Sequence, residues 1–153
     1  MNNNSDSKKP TGYILHVATF INWTTRKGVY GYNILSTVDD SIFYRDFICD
    51  YIESSSQGEM KALIVALDRV PIEKPVLIKT SQSVIVVGIN YGLDYWVQQN
   101  WVTREGHQVK SQDEWEKIHR LIHGREIFAL QVQDEELSNL QNTCKQYLMF
   151  LEN

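Results

Sequence analysis

Few side chains in this 153-residue sequence have types and spacings that suggest chemistry. His119 and His123 stand four apart in DEWEKIHRLIH, so on a helix they share a face and could hold one metal ion. The intervening Arg120-Leu121-Ile122 lacks the glutamate of an HExxH metalloprotease, which favours a solvated helix face. Cys144 could act as a nucleophile beside a histidine, but no spacing positions such a pair, so a buried thiol is the simpler expectation. Cys49 and Cys144 form no CxxC, which implies neither a disulfide framework nor a structural zinc site and makes a reducing, intracellular setting the default. Glu59 closes Ser56-Gln57-Gly58-Glu59, the spacing of a capping box, so its carboxylate has a purely local use available.

Composition narrows the functional class. With 42% hydrophobic and 22% charged residues the chain reads as an ordinary globular protein. A net charge of −4 argues against coating nucleic acid by bulk charge, because that mode depends on an excess of Lys and Arg over phosphates. No apolar run is long enough to span a bilayer, and the polar start MNNNSDSKKP lacks the apolar centre of a secretory signal. Residues 1–11 are therefore expected to be a flexible tail, and 12–153 a single domain.

The elements that must position any site follow from periodicity. GYILHVATFI (12–21), GVYGYNILST (28–37) and SIFYRDFICDY (41–51) are rich in β-branched and aromatic residues and separated by short polar turns, predicting an antiparallel meander. Met60, Leu63, Ile64 and Leu67 then fall at i, i+3, i+4 and i+7, one face of a helix that Pro71 ends. VLIKT (76–80) reads as a short buried strand and 81–100 as a helical stretch interrupted by Gly88 and Gly92. A loop through 101–109, a helix over 113–123, a fifth strand over 126–132 and a final helix complete a β-β-β-α-β-α-α-β-α order. The class is α/β: a five-stranded mixed sheet, three antiparallel strands then parallel crossovers, with helices on both faces.

Several local segments, in the same order, resemble bacterial-type ribonuclease H. SSSQGEMKALIVAL (54–67) is similar to that family's Thr/Asn segment and Glu-led helix, and VLIKTSQS (76–83) to its fourth strand and following turn. WVQQNW (96–101) matches its paired tryptophans, VKSQDEWEKI (109–118) its Val-Lys-Asn-x-Asp-x-Trp stretch, and GVYGYNIL (28–35) its glycine-containing second strand. The resemblance implies the ribonuclease H-like fold and, for active members, cleavage of the RNA strand of an RNA–DNA hybrid with two divalent ions held by four acids.

Carried over residue by residue, those four acids fall on Ala18, on Glu59, on Ser81 (or Thr80 if the register slips) and on Lys145, with Asn142 or Asn139 as alternatives for the last. One carboxylate is retained. The resemblance therefore implies a divergent, catalytically disabled member with no resident cofactor, Mg²⁺ or Mn²⁺ being needed only if the chain is active. An active alternative would rebuild the site with Asp134, Glu135 or Glu136 approaching Glu59.

The nucleic-acid side is also thinned, because Val97-Gln98-Gln99-Asn100 stands where the family carries basic residues between its tryptophans. Ser54, Ser55, Ser56 and Ser111 match the family's polar contacts, and Arg104 and Lys110 could add charge, although small polar residues at helix starts are also ordinary caps. Val84, Val86 and Val87 lie in a run apolar on every face, which something must cover. The C-terminal helix with Tyr147, Leu148, Met149, Phe150 and Leu151 is one candidate cover, and a partner protein is another. Together with Trp96 and Trp101 these valines are the interface candidates. The expected function is a structural or protein-binding module of retroelement-related type, a homo-oligomer being possible, with residual affinity for an RNA–DNA hybrid or double-stranded RNA. A non-cleaving duplex binder is the other alternative.

Overall fold

The computed structural model describes residues 11–38 and 41–152; the expected N-terminal tail through residue 10 and Asp39-Asp40 lie outside them. Three strands open the chain, β1 (Tyr13–Ile21), β2 (Lys27–Ser36) and β3 (Ile42–Tyr51), followed by helix α1 (Ser55–Asp68) and strand β4 (Val76–Thr80). A helical run comes next, α2 (Ser83–Val87), a π-helical turn (Gly88–Gly92) and α3 (Leu93–Gln98). Helix α4 (Gln112–Ile122), strand β5 (Ile127–Gln131) and helix α5 (Glu135–Glu152) complete it. The sheet order is β3-β2-β1-β4-β5, with β1–β2 and β2–β3 antiparallel and β1–β4 and β4–β5 parallel. This is the mixed sheet that the strand pattern predicts.

Alternation along β1 and β2 decides what each face of the sheet meets. Leu15 and Val17 of β1 and Tyr30, Tyr32 and Ile34 of β2 join the larger core, with Met60, Leu63 and Leu67 of α1, Ile85 of α2 and Trp115 and Ile118 of α4. Ala18 and Val29 point the other way, into a smaller core with Leu137, Leu140, Cys144 and Leu148 of α5. Each fully buried leucine in these clusters contributes roughly 1.5–3 kcal/mol against exposure.

Two expectations about the helices change. The C-terminal helix does not cover the apolar run after β4, because Ile85 belongs to the larger core whereas the buried line of α5 belongs to the smaller one. Gly88 and Gly92 do not break the helical run either; the backbone passes through them as a π-helical turn. Gly88 is there because a Cβ would overlap the ring of Trp115, which is 1% exposed.

Candidate functional site

The register sets the geometry around β1. Ala18 pairs with Gly31 of β2, and His16 pairs in parallel with Lys79, which brings Ser81, just past β4, level with Ala18. Glu59 reaches this end of the sheet from the second turn of α1. The close approach of α1 depends on Gly58, whose position leaves no room for a Cβ beside Thr19.

The start of α1 corrects the capping assignment. Ser54, with an extended backbone, is the N-cap: its hydroxyl accepts from the Gln57 N–H at 3.1 Å, while Gln57 Oε1 accepts from the Glu53 N–H at 2.8 Å. The capping bonds therefore run from Gln57 to Ser54 and from Glu53 to Gln57, and Ser56 lies inside the helix. Glu59, displaced from the cap by two residues, is 1% exposed and faces inward.

Its carboxyl group meets neutral partners. The Thr80 hydroxyl donates to Glu59 Oε1, and the Ser81 hydroxyl donates to Oε2 at 3.4 Å. Thr80 Oγ1 itself accepts from the Gln82 N–H at 3.0 Å, which turns its own hydrogen toward the glutamate. Burial outweighs these hydrogen bonds and pushes the Glu59 carboxyl up to about 7. Both register alternatives after β4, Thr80 and Ser81, thus touch Glu59.

The three candidates for the last of the four positions all point away from the buried line of α5. Lys145 is exposed, its Nζ 5.8 Å from the Phe20 ring centroid, Asn142 is exposed, and Asn139 faces a separate cavity. The buried turn of α5 instead presents Cys144, whose Sγ lies 4.0 Å from the Ala18 carbonyl oxygen. Burial, with a smaller contribution from the charge on Glu59, pushes this thiol up to about 12, so it is a protonated packing group rather than a nucleophile. The spacing of α5 could have singled it out, since Leu137, Leu140, Cys144 and Leu148 form one apolar line.

Hard divalent ions favour several anionic oxygens. One glutamate held near neutrality, two hydroxyls, a protonated thiol and an alanine do not fit a pair of them. Among the described residues no group of three or more His, Cys, Asp or Glu is placed to hold a metal ion. Asp134 is engaged elsewhere: Oδ1 accepts from the Leu137 N–H at 2.9 Å at the start of α5, and Oδ2 lies 3.8 Å from Lys79 Nζ. His119 lies 3.9 Å from Asp94, and its ring centroid is 6.3 Å from that of His123.

Of the polar candidates for duplex contact, Ser54 is spent on its cap and Ser56 Oγ bonds Gln82 Oε1 at 3.0 Å. Ser55 is half-buried, Lys110 is exposed, and Arg104 stacks 4.2 Å over the Tyr95 ring. Ser111 stands before α4 in the left-handed region at φ 59° without a side-chain cap bond. Among the interface candidates, Trp96 packs edge-on against Trp115 at 5.5 Å, and Trp101 and Val86 pack against the larger core. Val84 and Val87 remain exposed.

No protein-family model matches the chain. A 68-residue segment is 28% identical to ribonuclease H of Xanthomonas oryzae pv. oryzae, covering 44% of this chain and 45% of that enzyme. Ribonuclease H of Thiobacillus denitrificans is 31% identical over 68 residues, 44% of this chain and 46% of its own. The match thus spans about half the length of these relatives. Among solved structures, the foamy viral protease–reverse transcriptase in complex with an RNA/DNA hybrid superposes with a TM-score of 0.72 at 15% identity, over 90% of this chain and 20% of that one. The PFV RNase H domain gives 0.67 at 16% identity, covering 88% of this chain and 94% of the domain. LC11-RNase H1 in complex with an RNA/DNA hybrid gives 0.63 at 13% identity, covering 89% and 99%. Over most of its length the chain has the ribonuclease H-like fold, and over the shared segment its sequence is similar to ribonucleases H.

Proposed function

We propose that this chain is a ribonuclease H-like module that has lost hybrid cleavage and serves as a structural or protein-interaction domain. The observation that carries the reading is the state of Glu59. It is buried and bonded to Thr80 and Ser81, and the resemblance puts Ala18, which packs beside Cys144, where a two-ion site would need another carboxylate. The alternative of an active, rebuilt site finds little support, because Asp134 is committed to the start of α5 and to Lys79. The likeness to a foamy viral reverse transcriptase supports a retroelement-related origin. A protein partner is favoured by the exposure of Val84 and Val87 beside Tyr91 on the helical run.

The test incubates the purified chain with a labelled RNA–DNA hybrid in Mg²⁺ or Mn²⁺, beside the Glu59→Gln variant. Both should leave the hybrid intact. Cleavage by the parent chain that Glu59→Gln abolishes would overturn the proposal.

One specific observation keeps duplex binding as a second reading: Arg104 and Lys110 are exposed, and two structural neighbours were solved with an RNA/DNA hybrid. Phosphate contacts release counterions, so such binding would weaken steeply with salt, and a flat dependence would discard it.

A further inference from the structure

The sheet aligns a second row of polar side chains next to the row of Ala18. Arg45 of β3 pairs with Asn33 of β2, Asn33 with His16 of β1, and His16 with Lys79 of β4. Residues paired in register on neighbouring strands project from one face, so these four form a continuous line across the sheet on the side that α5 covers. The next row toward Glu59, Phe47, Gly31 and Ala18, is apolar.

A cavity of about 390 Å³ lies over the polar row, closed from above by the first turns of α5 through Glu136, Asn139 and Thr143. That volume is within the range of small-ligand sites, roughly 300–1,000 Å³. His16, which lines it, is 1% exposed, and neither ring nitrogen has a hydrogen-bond partner. The nearest carboxylate oxygen, on Asp134, is 3.9 Å from Nε2, too far for a hydrogen bond. A buried imidazole with both nitrogens unmet is costly, and such a group calls for a partner in the space it faces.

The chemistry of the lining identifies the partner class. Arg45 and Lys79 bring two cations and Asn33 an amide whose oxygen already accepts from Arg45 Nε at 2.6 Å, leaving its NH₂ as the donor end. Glu136 is the one carboxylate lining the cavity, while Asp134 is held through Oδ1 by the start of α5 and sets Oδ2 3.8 Å from Lys79 Nζ and 3.9 Å from His16 Nε2. Donors thus outnumber acceptors and, with His16, come from four strands, an arrangement that suits an oxyanion with several oxygens. A divalent cation would meet both Arg45 and Lys79.

We infer that the Arg45–Asn33–His16–Lys79 row is a binding site for a terminal phosphate group, as inorganic phosphate, a nucleotide or the end of an oligonucleotide. The site is separate from Glu59 and does not depend on whether the chain cleaves hybrids. Burial, opposed by Asp134 and Glu136 and reinforced by Lys79, holds the His16 imidazole below its ordinary range. A bound dianion facing it, with Arg45 on the opposite strand, shifts that titration upward.

The experiment follows the ring nitrogens of His16 by NMR in the full chain. The probes are inorganic phosphate, a nucleoside 5′-monophosphate, and one oligonucleotide with and without a 5′-phosphate. Saturable movement of the His16 signals by the phosphate-bearing probes is expected, with an upward shift of its titration. Lys79→Met and Arg45→Met should each weaken binding about tenfold or more, and Lys27→Met, on the exposed start of β2, should leave it unchanged. The phosphate probe that binds most tightly identifies the source of the group. Four results would each overturn the inference: no movement of His16 with any probe; equal affinity in the parent, Lys79→Met and Arg45→Met; broadening by Mn²⁺ without a response to phosphate; or an unphosphorylated oligonucleotide as effective as its phosphorylated form.

Discussion

At the scale of single residues, Glu59 links burial to a measurable property. An ordinary glutamate loses its proton near 4.5, whereas burial between α1 and the end of β4 raises Glu59 to about 7. Between those values the folded chain holds a proton that the unfolded chain has released, so stability falls as the pH rises through that window. The loss amounts to about 3 kcal/mol at most. Glu59→Gln keeps an oxygen for Thr80 and removes the titration. Its stability by urea denaturation should match the parent near pH 5 and exceed it near pH 8, and an unchanged difference at the two pH values would contradict the assignment. The sequence made Glu59 visible through its place at the head of a Glu-led helix but misplaced its role, because SSSQGE contains two capping spacings, Ser54 with Gln57 and Ser56 with Glu59. Which of them acts depends on where the backbone leaves the extended conformation, and three successive serines do not reveal that. His16 was hidden for a related reason. Within YILHVATFI it reads as one member of a strand, and only the register shows that it faces a cavity in line with Asn33 and Lys79.

At the scale of elements, the strands and the start of the crossovers were readable because alternation and the i, i+3, i+4, i+7 pattern each match one kind of structure. The helical run after β4 was harder. Its glycines looked like breaks, since glycine in a helix costs about 1 kcal/mol relative to alanine. At Gly88 that propensity is overridden by packing: φ is an ordinary −61°, and what forbids a side chain is the Trp115 ring, itself wedged against Trp96. Gly88→Ala should therefore reverse the usual sign for a helical glycine and destabilise the chain by about 1–3 kcal/mol. Chemical denaturation decides it, and a gain in stability would mean that the tryptophan pair yields easily. The position of α5 could not be read with similar ease. The distance between β5 and the helix is set by a loop, and periodicity fixes which residues of α5 share a face but not which of them lies over Ala18. That is why Lys145, Asn142 and Asn139 stay open from sequence, while packing sets Cys144 beside Ala18.

At the scale of the whole molecule, the sheet has two edges, β3 and β5, and an unpaired edge is a template for another chain. On β5 the chain supplies its own substitute strand. The Asn90 side chain donates to the Ala129 carbonyl at 2.8 Å and accepts from the Ala129 N–H at 2.9 Å, a two-way pairing like that of neighbouring backbones. The device matters here because Phe128 and Leu130, on either side of Ala129, are 48% and 40% exposed. An open edge flanked by apolar side chains is what a second copy of the chain can extend. It also explains why Asn90 sits in the π-helical turn between Gly88 and Gly92, since that turn sets the amide against β5 rather than into solvent. Asn90→Ala frees both backbone groups of Ala129 to water or to another strand, so the loss in monomer stability should be small, about 1 kcal/mol. The larger effect should be on association: by sedimentation velocity at matched concentration, Asn90→Ala should show a higher weight-average mass than the parent, rising with loading. Adding Leu130→Lys to Asn90→Ala should restore the parent's behaviour, because a lysine on an exposed edge disfavours pairing. If the single variant sediments as the parent does at every loading, Asn90 does not guard the edge.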